Sequence, residues 1–187
     1  IGVCMVVAAE LYASWSASRN SERIHGMACF ENGNSSLPIT VCGDDFVSFL
    51  DAPICTDLGT LQADVALLGV PYGMPYDMGQ SRSACAPAYI RQKSRRFTRA
   101  RQCARVMDTD RKPFDMDNIR IVDCGDVRGD PLDFRGTVDR ATRAVQAILA
   151  RGAVPVALGG DDAIPIPVVR AYRDFGPITV VQIDEHM

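Results

Sequence analysis

The sequence has no Cys-x-x-Cys pair, no apolar run near membrane-spanning length and almost no net charge. Seven cysteines (Cys4, Cys29, Cys42, Cys55, Cys85, Cys103 and Cys124) are scattered along 187 residues. Their odd number and wide spacing argue against a zinc ribbon, a thioredoxin-type site or a disulfide framework. They fit reduced, buried thiols in a cytoplasmic protein. A membrane-crossing helix needs about 20 consecutive apolar residues, which excludes a spanning helix. The apolar start IGVCMVVAA is interrupted by Glu10 and has no basic residues before it, so it is not read as a secretory leader. A formal charge of −3 gives no global case for a nucleic-acid or anionic-membrane partner. Internal repeats and low-complexity tracts are also missing.

What is present is an ordinary globular composition, 47% hydrophobic and 23% charged, enough for one domain or part of a larger one. Residues 1–43 show neither helical nor strand periodicity and carry Ser and Asn clusters. They read as an irregular arm or as sequence foreign to the domain. From residue 44 to 187, apolar strands alternate with amphipathic helices. Strands are expected at 63–70, 119–124, 153–158 and 178–183, and helices at 88–104, 137–150 and 163–174. This alternation predicts an α/β fold with a mainly parallel sheet covered on both faces. The chain begins at Ile1 and stops at Met187, inside a cluster of metal-capable residues, and so reads as a fragment at both ends.

Two expected strands deliver those side chains at their carboxyl ends, where open α/β sheets bind ligands. One runs into Gly159-Gly160-Asp161-Asp162, the other into Asp184-Glu185-His186. Asp162, Asp184 and His186 form an oxygen–oxygen–nitrogen donor set suited to a divalent ion such as Mn²⁺. Singly, each has a plainer role: Asp162 as a helix cap, the other two as polar strand-end residues. Their coincidence on two strand ends is what favours a metal. Asp161 is expected to hold backbone amides or to orient a ligand from behind. The Gly-Gly turn lacks the Lys-Ser/Thr of a phosphate loop. Arg91 to Arg105 carries seven basic residues and no acid, read as a solvated helix face with Ile90, Phe97 and Ala104 turned inward. The loop after residue 70, with Tyr72, Tyr76 and Asp77, would share the rim with the metal candidates.

Four segments, DVALLGVPYGMPYDMGQSRSACAPAYIR, IVDCGDV, VALGGDDAIPIPVVRA and VVQIDEHM, resemble the ureohydrolase family of arginase and agmatinase relatives. They do so in order, from about Asp64 to Met187. The resemblance implies a three-layer α/β/α arginase-like fold, here truncated after about half of the sheet, with an open edge. It implies two Mn²⁺ ions sharing a bridging hydroxide that cleaves a small cationic guanidino compound, agmatine-like, to urea and an amine. It also implies a homo-oligomer in the complete protein. By position, Asp162 stands where the family usually has a His ligand, and Asp184 and His186 match the Asp and His of the second motif. Further ligands of the family would lie beyond Met187, so this chain alone is expected to be inactive. A decayed, non-catalytic relative and a metallohydrolase of formimino or other amidine substrates are the alternatives.

Overall fold

A computed structural model describes residues 39–73, 82–97, 119–130 and 132–183, together with the backbone of 105–106 and 114–115. Its strands are β1 (Thr40–Val41), β2 (Val65–Gly69), β3 (Arg105–Val106), β4 (Phe114–Asp115), β5 (Ile121–Val127) and β6 (Val154–Leu158). Its α-helices are α1 (Ala86–Ser94), α2 (Phe134–Ala150) and α3 (Pro165–Ala171). Strand order in the main sheet is β1-β5-β2-β6, with β5, β2 and β6 parallel and β1 antiparallel. β3 and β4 make a separate two-stranded ribbon. β1 joins the sheet just ahead of the Asp44 boundary; residues 1–38 lie outside the described part.

The central strand β2 (VALLG) is almost wholly buried, as a strand covered on both faces must be. α2 has the expected apolar stripe: Val138, Ala141, Val145 and Ile148 are buried, and the last three join Ala66, Leu68 and Cys124 in one core. Asp133 starts this helix, its Oδ1 accepting from Gly136 N at 2.8 Å, an N-cap bond of the usual kind. Successive strand residues face opposite ways. Cys124 therefore looks into the α2 layer, whereas Asp123 looks toward α1 on the other face. Helices thus cover both sides of a mainly parallel sheet, the α/β/α arrangement expected.

β5 breaks its register between Leu67 and Gly69 of β2. Gly125, at φ 75°, lies in this irregularity, in the left-handed region that glycine alone enters without strain. The bulge re-aims the strand. Asp123 and Asp126, three apart, would face opposite sides of a regular strand. Here both reach Arg91 of α1.

One expected strand is corrected. Residues 178–183 form no strand. After Gly176 and Pro177 the described residues do not return to the sheet. Only Ile178 packs against the core, and Val180, Val181 and Ile183 are exposed. A strand exists by its ladder, and this segment has no ladder partner among the described residues. Among the described residues the outer edge of β6 is correspondingly unpaired, with Val154 and Val156 47% and 38% exposed.

The cysteines are partly as expected. Cys42, Cys55, Cys85 and Cys124 are all free, but only Cys124 is buried. Burial foremost, then the neighbouring charges of Cys55 and Asp123, push its thiol from 9.0 up to about 12, against a lowering by Arg91. The raised folded value favours the neutral thiol in the native state. Stability from this group is complete below pH 9 and drains away as pH climbs toward 12. At about 1.4 kcal/mol per unit, the loss is on the order of 4 kcal/mol. Denaturant melts from pH 8 to 12 should show a steep alkaline decline in the natural chain and a shallower one in Cys124→Ala. An unchanged slope in the variant would remove Cys124 as the cause.

Candidate functional site

The carboxyl ends of β2, β5 and β6 bring three loops together: Val70 to Gly73, Arg128 to Asp130, and Gly159 to Asp162. Backbone bonds lace the first and third. Val70 N donates to Leu158 O at 2.9 Å, and Asp161 N donates to Tyr72 O at 3.2 Å. A Cβ built on Gly160 would overlap the Tyr72 carbonyl, so only glycine lets these two backbones lie so close. The Gly-Gly turn is therefore a docking device between β2 and β6.

Asp161 works locally. Its Oδ1 accepts from Ala163 N at 3.1 Å, and its carbonyl accepts from Ile164 N at 3.3 Å. This fixes the turn that leads into α3, whose N-cap Ile164 offers no side-chain bond. The capping bond anticipated for Asp162 is not made at the start of α3, and Asp162 stands exposed on the rim. Tyr72 is buried at 5% exposure, its ring 5.1 Å from that of Phe134. Burial first, and then the negative charge of Asp161, raise its phenol above the ordinary value. Tyr72 is hence a neutral, buried support of the rim. Tyr76, Asp77, Asp184 and His186 lie outside the described residues.

The rim accordingly carries one of the three metal candidates, Asp162. Among the described residues, no three His, Cys, Asp or Glu side chains stand close enough to hold a metal ion. A single exposed carboxylate is not a metal site. The chemistry of the donor set, two carboxylates and an imidazole, suits Mn²⁺ only when Asp184 and His186 join Asp162.

Directly behind the rim is a charged cluster that reading the basic run as a solvated face had missed. Arg91 is 1% exposed and Asp123 is fully buried. The Arg91 fork donates to both oxygens of Asp123, at 2.8 and 2.9 Å, to Asp126, and to the Gly125 carbonyl at 3.0 Å. The Phe46 ring lies 4.6 Å from the guanidinium carbon. Asp123 also accepts from Phe49 N and Gly125 N. Burial works against the Arg91 charge, but the bonds and charges of Asp123 and Asp126 outweigh it and hold the proton more firmly than usual. Phe97, expected inside, is 48% exposed. The signal available in the sequence was the pairing of Arg91 with the D-x-G-D pattern at 123–126. A lone Arg among many does not announce which one is buried.

Comparison with known proteins follows the same segments. A profile described as the arginase family matches residues 63–187. Among curated relatives, a guanidinopropionase of Pseudomonas aeruginosa is 29% identical over 74% of this chain and 41% of its own length. A mitochondrial agmatinase of Gallus gallus is 32% identical over 80% of this chain and 40% of its own. The solved structure of a proclavaminate amidino hydrolase from Streptomyces clavuligerus superposes with a TM-score of 0.52 at 24% identity, over 70% of this chain and 40% of that one. The chain spans about two fifths of the length of the relatives it matches.

Proposed function

Because this chain belongs to the arginase family, we propose that the protein is a hydrolase of a small cationic guanidino compound, releasing urea and an amine. The observation that carries this reading is the match over residues 63–187. It spans the rim, and relatives at 29–32% identity bear the names guanidinopropionase and agmatinase. An agmatine-like substrate is the form of the proposal. The rim's own chemistry agrees with a cationic substrate: Asp161 and Asp162 place two carboxylates at the carboxyl end of β6, a local negative field that attracts a guanidinium.

Mn²⁺ is part of the proposal, with Asp162, Asp184 and His186 as its ligands. When bound, such an ion acidifies water and polarises the group under attack. The chain's own contribution is positional. Gly160 allows the β6 turn to dock on Tyr72, Asp161 locks that turn through Ala163, and Asp162 is left exposed at the rim. No described helix is long and apolar enough to cross a membrane, and we place the activity in the cytoplasm.

The test is urea release from agmatine, arginine, 3-guanidinopropionate and 4-guanidinobutyrate, with Mn²⁺ supplied and then chelated. Turnover of one of these by the complete protein, lost on chelation, is the expected result. Ammonia or formamide without urea, from a formimino substrate, would move the protein to a different amidine chemistry. A folded protein that binds Mn²⁺ and turns over none of them would mark a relative that has lost catalysis.

A further inference from the structure

Away from the rim, α2, α3 and the turn after it border an open groove of about 350 Å³ lined by Asp139, Thr142, Arg143, Gln146, Arg170 and Arg173. The α2 residues recur at 139, 142, 143 and 146, one face of a helix. Arg170 comes from α3, and Arg173 from the short 3₁₀ turn Arg173–Phe175 that follows it. Three arginines therefore line a space large enough for a small ligand.

Their charges are incompletely answered. Arg170 Nη1 bonds Asp139 Oδ1 at 2.9 Å, using one of five donors. Arg173 Nε meets Asp174 Oδ1 at 3.5 Å. Arg143 has no ion pair among the described residues. Thr142 also lines the groove; it is 7% exposed, and its Oγ1 is buried without a hydrogen-bond partner among the described residues. A buried hydroxyl without a partner costs free energy, so such a group calls for an explanation. Here it lines the same groove as the three cations.

We propose that this groove is an anion site for a phosphate group, carried by a small phosphorylated molecule or by free phosphate. A planar carboxylate has two oxygens and is satisfied by one guanidinium fork. A phosphate offers enough oxygens for three forks and a hydroxyl at once. Asp139 fits the same design, because it holds Arg170 in place while leaving most of its donors free.

The experiment is calorimetric titration of the protein with inorganic phosphate and with glucose 6-phosphate, at constant ionic strength, with acetate as the carboxylate comparison. Saturable binding of phosphate over acetate is expected. Arg143→Gln combined with Arg173→Gln, both at exposed positions, should weaken binding by about tenfold or more. Thr142→Val should weaken it several-fold while leaving the melting temperature unchanged or raised, since it deletes an unpaired buried hydroxyl. Tighter binding of glucose 6-phosphate than of phosphate assigns the remaining volume to an organic moiety; equal binding assigns the site to phosphate itself. Absence of saturable binding in the folded natural chain overturns the proposal, as does binding that both variants leave unchanged.

Discussion

Arg91→Ala is expected to cost about 3–5 kcal/mol of folding stability, the usual penalty for leaving a buried charge without its partner. For a chain of this size that is a fall in melting temperature on the order of 10 °C. Removing Arg91 strands Asp123, which is fully buried, and frees Asp126 from the bulge that aims it. It also loosens the approach of residues 46–51, because Phe49 N bonds the Asp123 carboxylate and the Phe46 ring lies against the guanidinium that would be lost. Arg91→Lys should rescue little, since an ammonium cannot copy a fork that meets both oxygens of Asp123 and reaches Asp126 as well. Replacing all three charges, with Arg91→Met, Asp123→Asn and Asp126→Asn together, should lose less than the single change. Urea melts of the four proteins decide the matter. A loss below about 1 kcal/mol in Arg91→Ala would mean that water enters and solvates the site.

Gly160→Ala is expected to fail for a different reason. The added methyl would meet the Tyr72 carbonyl, and a backbone oxygen cannot rotate away as a side chain can. The loops after β2 and β6 must part, breaking the bond from Asp161 N to Tyr72 O. A cost near the upper end of overpacking penalties, about 3 kcal/mol, is expected. Displacement of the turn should also weaken Mn²⁺ binding. Asp162→Ala gives the contrast: its exposed side chain has no part in the packing, so metal binding should fall with little change in melting. A Gly160→Ala protein that melts and binds Mn²⁺ like the natural one would show that the close approach is not required.

How far the sequence reveals all this differs between elements. The regular elements announce themselves by period. The apolar run around β2, the stripe along α2 and the glycine turn after β6 each predict their structure from a local pattern. Residues 178–183 carry an equally good pattern and form no strand, because an apolar run expresses a preference for burial, whereas a ladder needs a neighbour in register. β1, β3 and β4, of two residues each, are too short to show any period. At the rim, Asp161 and Asp162 were legible as a pair, but the division of labour between them depends on which oxygen reaches the Ala163 amide. The Arg91 cluster was hidden for a related reason. Its partners lie 32 and 35 residues away, and the bulge that unites them rests on one positive φ at Gly125.

The outer edge of β6, unpaired among the described residues, carries a feature of its own. A bare strand edge offers its amides and carbonyls to any other extended chain, which is how sheets from different molecules come to fuse. Val154 N points inward, donating to Asp64 O at 2.9 Å. Strand residues alternate in the direction of their amides, so position 155 presents its backbone nitrogen outward. That residue is Pro155, which has no hydrogen to offer. An incoming strand would find a missing donor in the middle of a five-residue edge, flanked by two exposed valines that would otherwise invite it. Among the described residues, Pro155 thus leaves a gap in the donor row along the outer edge of β6, and a strand laid there would form fewer bonds than the two exposed valines invite.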